Sequence, residues 1–288
     1  MRLYENELGL SGLLLGLLGG YTGGRWGEIA GQTLPEYDQV RQAIAVFQPL
    51  KEIDGKLFKS GADVTEQTDL QPLGNGRRSR RTKRNARTRS PASERWVQLP
   101  PSIAAIYELF LATRPAGHSF VFTSLQGKPW YRSNFRQRFW RPAWDGVDAD
   151  KPFSARHMPA ILSGFRFHEG RHTHATWLTE DGISEVARRA RLGHKVKGMG
   201  RVYDHVTPQM ERQILMALEE RWVASVLALE EDERQKLLAW VPVIKDTIEK
   251  AQEEAAMLAA KLVGGERFSQ ISPTGRSNES RSGGESAS

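Results

Sequence analysis

Apolar side chains recur along most of the chain with the spacing expected of α-helices. Residues 8–20 form the most apolar stretch near the start, and it is too short and too rich in glycine to cross a bilayer. This stretch predicts a buried helix, and the helical pattern continues to about residue 30. Four glycines interrupt the pattern just before Arg25, where they allow a tight turn of the backbone. A second amphipathic helix is predicted over residues 102–113.

Helical patterns also dominate the second half of the chain. Helices are predicted at residues 135–140, 169–180, 184–191 and 209–227. One or two more are expected between residues 231 and 262, where Pro242 interrupts the pattern. From residue 264 onward the chain is rich in serine, glycine and arginine and poor in apolar residues, so we expect this part to be disordered.

β-Structure is predicted at three places. Residues 46–60 alternate between apolar and polar positions, and Asp54-Gly55 at their centre is typical of a hairpin turn. Short strands are predicted at residues 95–99 and 121–122. The patterns together predict an α+β fold that is mainly α, with a small antiparallel β-sheet.

The composition indicates an anionic partner. The 288 residues carry a formal net charge of +7, which is typical of proteins that bind nucleic acid, although a basic protein without such a partner has the same balance. The chain contains no cysteine, so disulfides and thiol chemistry are excluded, as suits a reducing compartment. No signal peptide is evident, because acidic residues precede the apolar stretch. We therefore expect a cytoplasmic protein.

The positive charge is densest between residues 77 and 89. A run of this kind is often a solvated loop, and it is also the composition of an arm that follows a DNA backbone. The residues expected to contact DNA are Arg77, Arg78, Arg80, Arg81, Lys83, Arg84, Arg87 and Arg89.

Five residues outside this run form the candidate chemistry. Arg25 lies in YTGGRWGE, His168 and Arg171 in HEGRHTHATWL, His194 after Leu-Gly, and Tyr203 in RVYDHVTP. Each alone is more often a surface or packing residue than a catalyst. Their order and spacing resemble the tyrosine recombinase (phage integrase) family, over roughly residues 12–221. The stretch FVFTSLQGKPWYRSNFRQRFWRPAW and the sequence YDHVTPQM add to the resemblance.

The resemblance implies the tyrosine-recombinase catalytic-domain fold and a function in site-specific DNA recombination and integration. It assigns Arg25 and Arg171 to the phosphate oxygens, because guanidiniums are always charged and bind in a bidentate manner. His168 and His194 would add hydrogen bonds or handle protons, and Tyr203 would be the nucleophile. The product would be a 3′-phosphotyrosine and a free 5′ hydroxyl. No cofactor or metal is expected, and the partner would be double-stranded DNA, on which the chain would assemble as a homo-oligomer.

The chain departs from the family pattern at the lysine that protonates the leaving 5′ oxygen. Counting back from ASERWVQLP, this position falls on Arg89, and the nearest lysine is Lys83. Arginine is a poor general acid because its pKa is far above neutral. Lys83, Arg89 or no residue of this run therefore remains open as the acid. A second departure is Gly170, which is expected to weaken the helix slightly.

The resemblance also defines the expected domains. We expect a catalytic domain at residues 1–222, a helical extension at 223–263 and a disordered tail at 264–288. The family usually has an N-terminal core-binding domain that closes around DNA, and none is expected before Arg25.

Other functions compete with recombination. His168-Glu169-Gly170-Arg171-His172 satisfies the HExxH pattern of zinc proteases, although Gly170 lies inside it. A truncated or inactive DNA-binding remnant of an integrase is a second alternative, favoured by the missing clamp and lysine. A type IB topoisomerase uses similar chemistry, but the integrase-like residues 120–144 favour recombination.

Overall fold

The computed structural model describes residues 1–68, 94–148, 158–194 and 206–269, and α-helices account for most of them. The helices are α1 (Gly9–Tyr21), α2 (Trp26–Ile29), α3 (Pro101–Thr113), α4 (Arg132–Phe135), α5 (Arg141–Asp145), α6 (Glu169–Glu180), α7 (Glu185–Leu192), α8 (Pro208–Leu227), α9 (Glu231–Trp240) and α10 (Lys245–Ser269). Single π-helical turns lie at Tyr4–Leu8 and Arg136–Trp140, and 3₁₀ turns at Leu34–Glu36 and Pro242–Ile244.

Six short strands in the described residues form two antiparallel sheets. The strands are β1 (Tyr37–Asp38), β2 (Ala43–Val46), β3 (Lys51–Ile53), β4 (Lys56–Lys59), β5 (Ala62–Asp63) and β6 (Arg95–Gln98). One sheet has the order β1-β2-β6 and the other β3-β4-β5. In the first sheet Ile44 pairs with Val97 and Val46 with Arg95. The predicted mixed, mainly α fold with antiparallel β-structure is confirmed.

The hairpin predicted over residues 46–60 is correct at its centre and shorter than expected. Ile53 of β3 pairs with Lys56 of β4 across Asp54 and Gly55, which have φ values of 49° and 73°. Val46 instead belongs to β2, whose partner β6 lies far along the chain. Local alternation could not reveal this partner, because a strand pattern does not specify which strand it pairs with.

The strand predicted at residues 121–122 is wrong. Isolated bridges join Thr33 to Phe120 and Thr123 to Pro129, on either side of the two residues. Val121 and Phe122 are nevertheless buried. Their apolar pattern therefore reflects burial in a connecting segment rather than a ladder of strand hydrogen bonds.

The helices predicted around residues 102–113, 169–180, 184–191 and 209–227 are confirmed. Ser184 caps α7 by accepting a 3.4 Å hydrogen bond from the amide of Ala187, and Thr207 caps α8 in the same way at 3.2 Å from Met210. Pro242 separates α9 from α10, as expected. Helix α10 continues past Gly264 to Ser269, and the residues beyond lie outside the described part of the chain.

Helix α1 is the centre of the apolar core. Leu14, Leu15 and Leu18 are fully buried, and the helix packs against α3 and α6. The chain divides into a compact unit, Met1–Lys245, and a second unit that begins at Asp246. Among the described helices, none has both the length and the apolar character needed to span a membrane.

Candidate active site

The turn after α1 brings the segment of Arg25 against α6. Gly23 has a φ of 61°, and a Cβ there would lie 2.8 Å from the Leu192 side chain and 2.9 Å from the His174 ring. The carbonyl of Gly23 accepts a 2.7 Å hydrogen bond from Nη1 of Arg171. Backbone conformation and space thus both require glycine at this position.

Arg25 is anchored by the carboxylate of Glu28. Nη1 of Arg25 lies 2.9 Å from Oε1 of Glu28, and the Arg25 amide donates to Oε2 at 3.1 Å. The Glu28 side chain is completely buried, whereas 43% of the Arg25 side chain is exposed. One part of the guanidinium is therefore held by the protein while the rest is exposed.

Arg95 is a residue that sequence reasoning did not identify. Its Nη2 lies 3.3 Å from Oε2 of Glu28, and its Nε donates a 2.6 Å hydrogen bond to the carbonyl of Arg191. The alternation of residues along a strand could have identified Arg95, because Arg95 lies on the same face of β6 as the buried Val97. Arg95 joins the carboxylate that holds Arg25 to the C-terminal end of α7.

Arg171 is buried in the first half of α6, with 4% of its surface exposed. Its guanidinium donates to the carbonyls of Gly23 and Leu192. Nη2 also lies 3.0 Å from Nε2 of His194. Arg171 thereby connects the α1–α2 turn, the end of α7 and His194.

Gly170 permits the close approach of α6 to α1. A Cβ on Gly170 would lie 3.1 Å from the backbone carbon and oxygen of Gly19 and 3.4 Å from the nitrogen of Gly20. Backbone atoms cannot move aside as a flexible side chain can. The small loss of helix propensity expected from the sequence is thus accompanied by a packing role that places His168 and Arg171 next to the Arg25 turn.

A left-handed cap positions His194. Helix α7 ends at Leu192, and its C-cap Gly193 has a φ of 65°. The amide of His194 donates to the carbonyl of Arg189 at 2.9 Å. Beneath this turn, Nε of Arg191 donates to Nε2 of the fully buried His174 at 3.1 Å.

The two arginines and two histidines of the predicted site influence one another electrostatically. Partial desolvation lowers the pKa of the His168 ring, and the charges of His172, Arg171, Arg25 and Arg132 lower it further. Desolvation likewise lowers the pKa of His194, followed by the charges of Arg171, Arg25, Arg95 and Arg189. Arg25 and Arg171 therefore act on both rings, which favours neutral histidines beside two permanent cations.

A cleft of about 660 Å³ opens next to Arg25 and His168. Aromatic side chains form part of its wall, and the β3–β4 hairpin closes one side with two carboxylates. The lining residues are Arg25, Trp26, Gly27, Leu50, Glu52, Asp54, Gly55, Leu57, Trp130, Arg132, Phe167 and His168. The cleft offers positive charge at the Arg25 side and space for a group larger than one phosphate.

The remaining predicted residues lie outside the described part of the chain. They are the nucleophile candidate Tyr203 and the basic residues Arg77, Arg78, Arg80, Arg81, Lys83, Arg84, Arg87 and Arg89. Of the five residues predicted for catalysis, the structure describes four and brings them together: Arg25, His168, Arg171 and His194.

The zinc-protease pattern finds no further support in the described residues. His168 occupies the N-cap of α6, and its ring centroid lies 5.0 Å from that of His172. No group of three histidine, cysteine or acidic side chains in the described ranges could hold a metal ion. Catalytic zinc sites normally use three protein ligands.

Comparison with known proteins gives a match to the model of the phage integrase family over residues 17–210. The chain is 33% identical over 101 residues to the integrase of Staphylococcus phage L54a, an alignment covering 35% of this chain and 25% of that protein. The chain thus spans about a quarter of the length of this curated relative.

Two solved structures are also similar. The Tn1549 transposon integrase, in complex with a circular intermediate DNA, has a TM-score of 0.43 and 18% identity, covering 71% of this chain and 57% of that chain. The XerA recombinase has a TM-score of 0.38 and 15% identity, covering 75% of this chain and 59% of that chain.

Proposed function

The chain belongs to the phage integrase family, and from this premise we propose that it breaks and rejoins DNA strands in site-specific recombination. The observation that carries the proposal is the convergence of Arg25, His168, Arg171 and His194. Two relationships support a common anion site: the 3.0 Å contact between Arg171 and His194, and the effect of both arginines on the pKa of both histidines. A DNA phosphate is the anion that fits this family.

The residue types suit attack on a phosphodiester. The transition state at a five-coordinate phosphorus carries extra negative charge on its non-bridging oxygens, which Arg25 and Arg171 stabilise. Arg171 is fixed by buried hydrogen bonds, so little reorganisation is needed during the reaction. His168 and His194, held neutral beside these cations, donate hydrogen bonds to the phosphate or accept a proton.

Tyr203 is the proposed nucleophile. Its phenolic oxygen forms a bond to phosphorus as the bond from phosphorus to the 5′ oxygen breaks, giving a 3′-phosphotyrosine and a 5′ hydroxyl. The phenol has an ordinary pKa of about 10, so a neighbouring base or positive field must assist loss of its proton. The leaving 5′ oxygen takes up a proton, for which Lys83 is the better chemical candidate than Arg89. A second 5′ hydroxyl reverses these steps and joins the strands.

We further propose that the partner is double-stranded DNA, contacted along its backbone by the basic run from Arg77 to Arg89. The net charge of +7 supports this, because phosphate neutralisation dominates affinity for nucleic acid. Assembly as a homo-oligomer on DNA and a cytoplasmic location are parts of the same proposal. The absence of cysteine agrees with a reducing compartment.

A nicked suicide substrate tests the proposal. Cleavage next to the nick releases a short fragment, so the covalent protein–DNA adduct accumulates and migrates as a shifted band on a denaturing gel. We expect the band with the native chain, with chelator present, and its loss in Tyr203→Phe. If the protein retards DNA but forms no adduct with any substrate, it is a DNA-binding remnant and the catalytic proposal is wrong.

A further inference from the structure

Arg132 is a cation of the cleft to which the site described above gives no role. It is the first residue of α4, it lines the cleft together with Arg25 and His168, and it is exposed. Arg25 is tied to Glu28, and Arg171 donates to two carbonyls. Within the described residues, by contrast, the Arg132 guanidinium has neither an acidic partner nor a hydrogen-bond acceptor.

Arg132 adds a third arginine charge to the surroundings of His168. Its charge acts on His168 in the same direction as the charges of Arg25 and Arg171. Glu52 and Asp54 line the same cleft on the hairpin, and neither forms an ion pair with Arg132. Like charges at one cleft repel each other, and an anion bound between them is attracted by both.

The size of the cleft indicates where that anion lies. About 660 Å³ is much more than one phosphate group occupies, so a neighbouring part of a DNA strand fits beside the phosphate at Arg25. Each DNA strand carries a phosphate for every ~3.4 Å of helix axis. The carboxylates of Glu52 and Asp54 repel phosphate, so the lining groups of this cleft that attract a DNA strand are the cations Arg25 and Arg132.

We propose that Arg132 binds the backbone phosphate adjacent to the scissile phosphate on the cleaved strand. The inference rests on the proposed function for the identity of the strand. It adds a second phosphate position to the site. Arg132 holds the strand at the neighbouring phosphate, while Arg25 and Arg171 act on the reacting phosphorus.

Single neutral methylphosphonates in the DNA test the position directly. They are placed one at a time at the scissile phosphate and at the two phosphates on each side of it. Affinity is measured by fluorescence anisotropy in a Tyr203→Phe background, so the binding result does not depend on cleavage. The variants are Arg132→Gln, Arg132→Lys and the control Arg138→Gln, whose side chain is exposed in the same helical stretch but does not line the cleft.

We expect Arg132→Gln to weaken binding of unmodified DNA about tenfold and to reduce the salt slope by about one. A methylphosphonate at one of the adjacent positions should weaken DNA binding by the parent protein to a similar extent. The same methylphosphonate should have little further effect on binding by Arg132→Gln, because both changes remove the same contact. Arg132→Lys should recover part of the affinity, and Arg138→Gln should match the parent.

Two results would overturn the inference. One is a DNA affinity of Arg132→Gln equal to that of the parent. The other is a loss of affinity in Arg132→Gln that adds in full to the loss caused by the methylphosphonate at each of the tested positions. Thermal unfolding of each variant shows whether the fold is intact, as expected for an exposed side chain. The suicide-substrate assay is scored separately with Tyr203 present, so failure to form an adduct contradicts the proposed function without affecting the binding result.

Discussion

Nη2 of Arg171 lies 3.0 Å from Nε2 of His194. Arginine can only donate, so this contact is a hydrogen bond only if Nε2 is unprotonated and the ring carries its proton on Nδ1. The lowered pKa of His194 agrees with that state. The pair therefore presents a permanent cation and a neutral imidazole to the same ligand.

A titration of the two site histidines tests whether the residues converge. Removing a nearby positive charge raises a histidine pKa, so Arg25→Gln should raise the pKa of both His168 and His194. NMR titration of the ring protons measures the shifts. Arg189→Gln should raise only that of His194, and Arg132→Gln only that of His168. If Arg25→Gln moves one ring alone, the two histidines do not share the field of Arg25.

Glu28 should contribute more to stability than an exposed ion pair does. Its buried carboxylate contacts both Arg25 and Arg95, so Glu28→Gln leaves the two guanidiniums with a neutral partner. Breaking a buried pair costs about 3–5 kcal/mol, and we expect a loss of this order in urea unfolding together with slow adduct formation. The control Glu185→Gln removes an exposed pair with Arg189 and should cost less than about 1 kcal/mol. Equal effects of the two substitutions would contradict a central role for Glu28.

Sequence patterns predicted those features of the site that depend on local spacing. The interval between His168 and Arg171 places both at the start of one helix, and Leu192-Gly193 marks where α7 ends before His194. The periodicity of the apolar residues likewise predicted the main helices. Such features are specified by neighbours in the sequence, so one sequence is enough to identify them.

Features that depend on distant pairing were not predicted. Arg95 contacts Glu28 and Arg191 because β6 pairs with β2, and the alternation of residues 46–60 gave no sign of that pairing. The packing role of Gly170 was missed for the same reason, since it depends on the approach of α1 to α6. Arg132 joins the cleft through tertiary structure alone, which no spacing rule describes.

Alanine substitutions at Gly193 and Gly182 distinguish the cost of backbone strain from the cost of crowding, because the two glycines have similar backbone conformations and only Gly193 has close neighbours. Gly193 has a φ of 65°, and a Cβ there would lie 2.8 Å from Nη1 of Arg95. Gly182 has a φ of 67° and no atom within 4 Å of the same position. Gly182→Ala should therefore cost about 1–2 kcal/mol through strain alone and leave adduct formation unchanged. Gly193→Ala should cost more, because Arg95 must move, and should also slow adduct formation. The contact with Arg95 is unimportant if both variants behave alike in urea unfolding and on the denaturing gel.

His174 should make the fold sensitive to acid. Complete burial, followed by the charge of Arg191, holds its pKa well below the ordinary value of 6.5. The folded state therefore keeps the ring neutral while the unfolded chain binds a proton below pH 6.5, so stability is present above that pH and is lost as the pH falls. A histidine of this kind contributes a slope of about 1.4 kcal/mol per pH unit in that range.

Urea unfolding between pH 7.5 and 5.5 measures this slope in the native chain and in His174→Gln. The glutamine side-chain oxygen can still accept the hydrogen bond that Nε of Arg191 donates to His174, but it does not titrate. We expect His174→Gln to be somewhat less stable at pH 7.5 and to lose less stability on acidification than the native chain. His168 and His194 also have lowered pKa values, so a smaller slope should remain. Identical slopes in the two proteins would show that burial of His174 does not control the acid response.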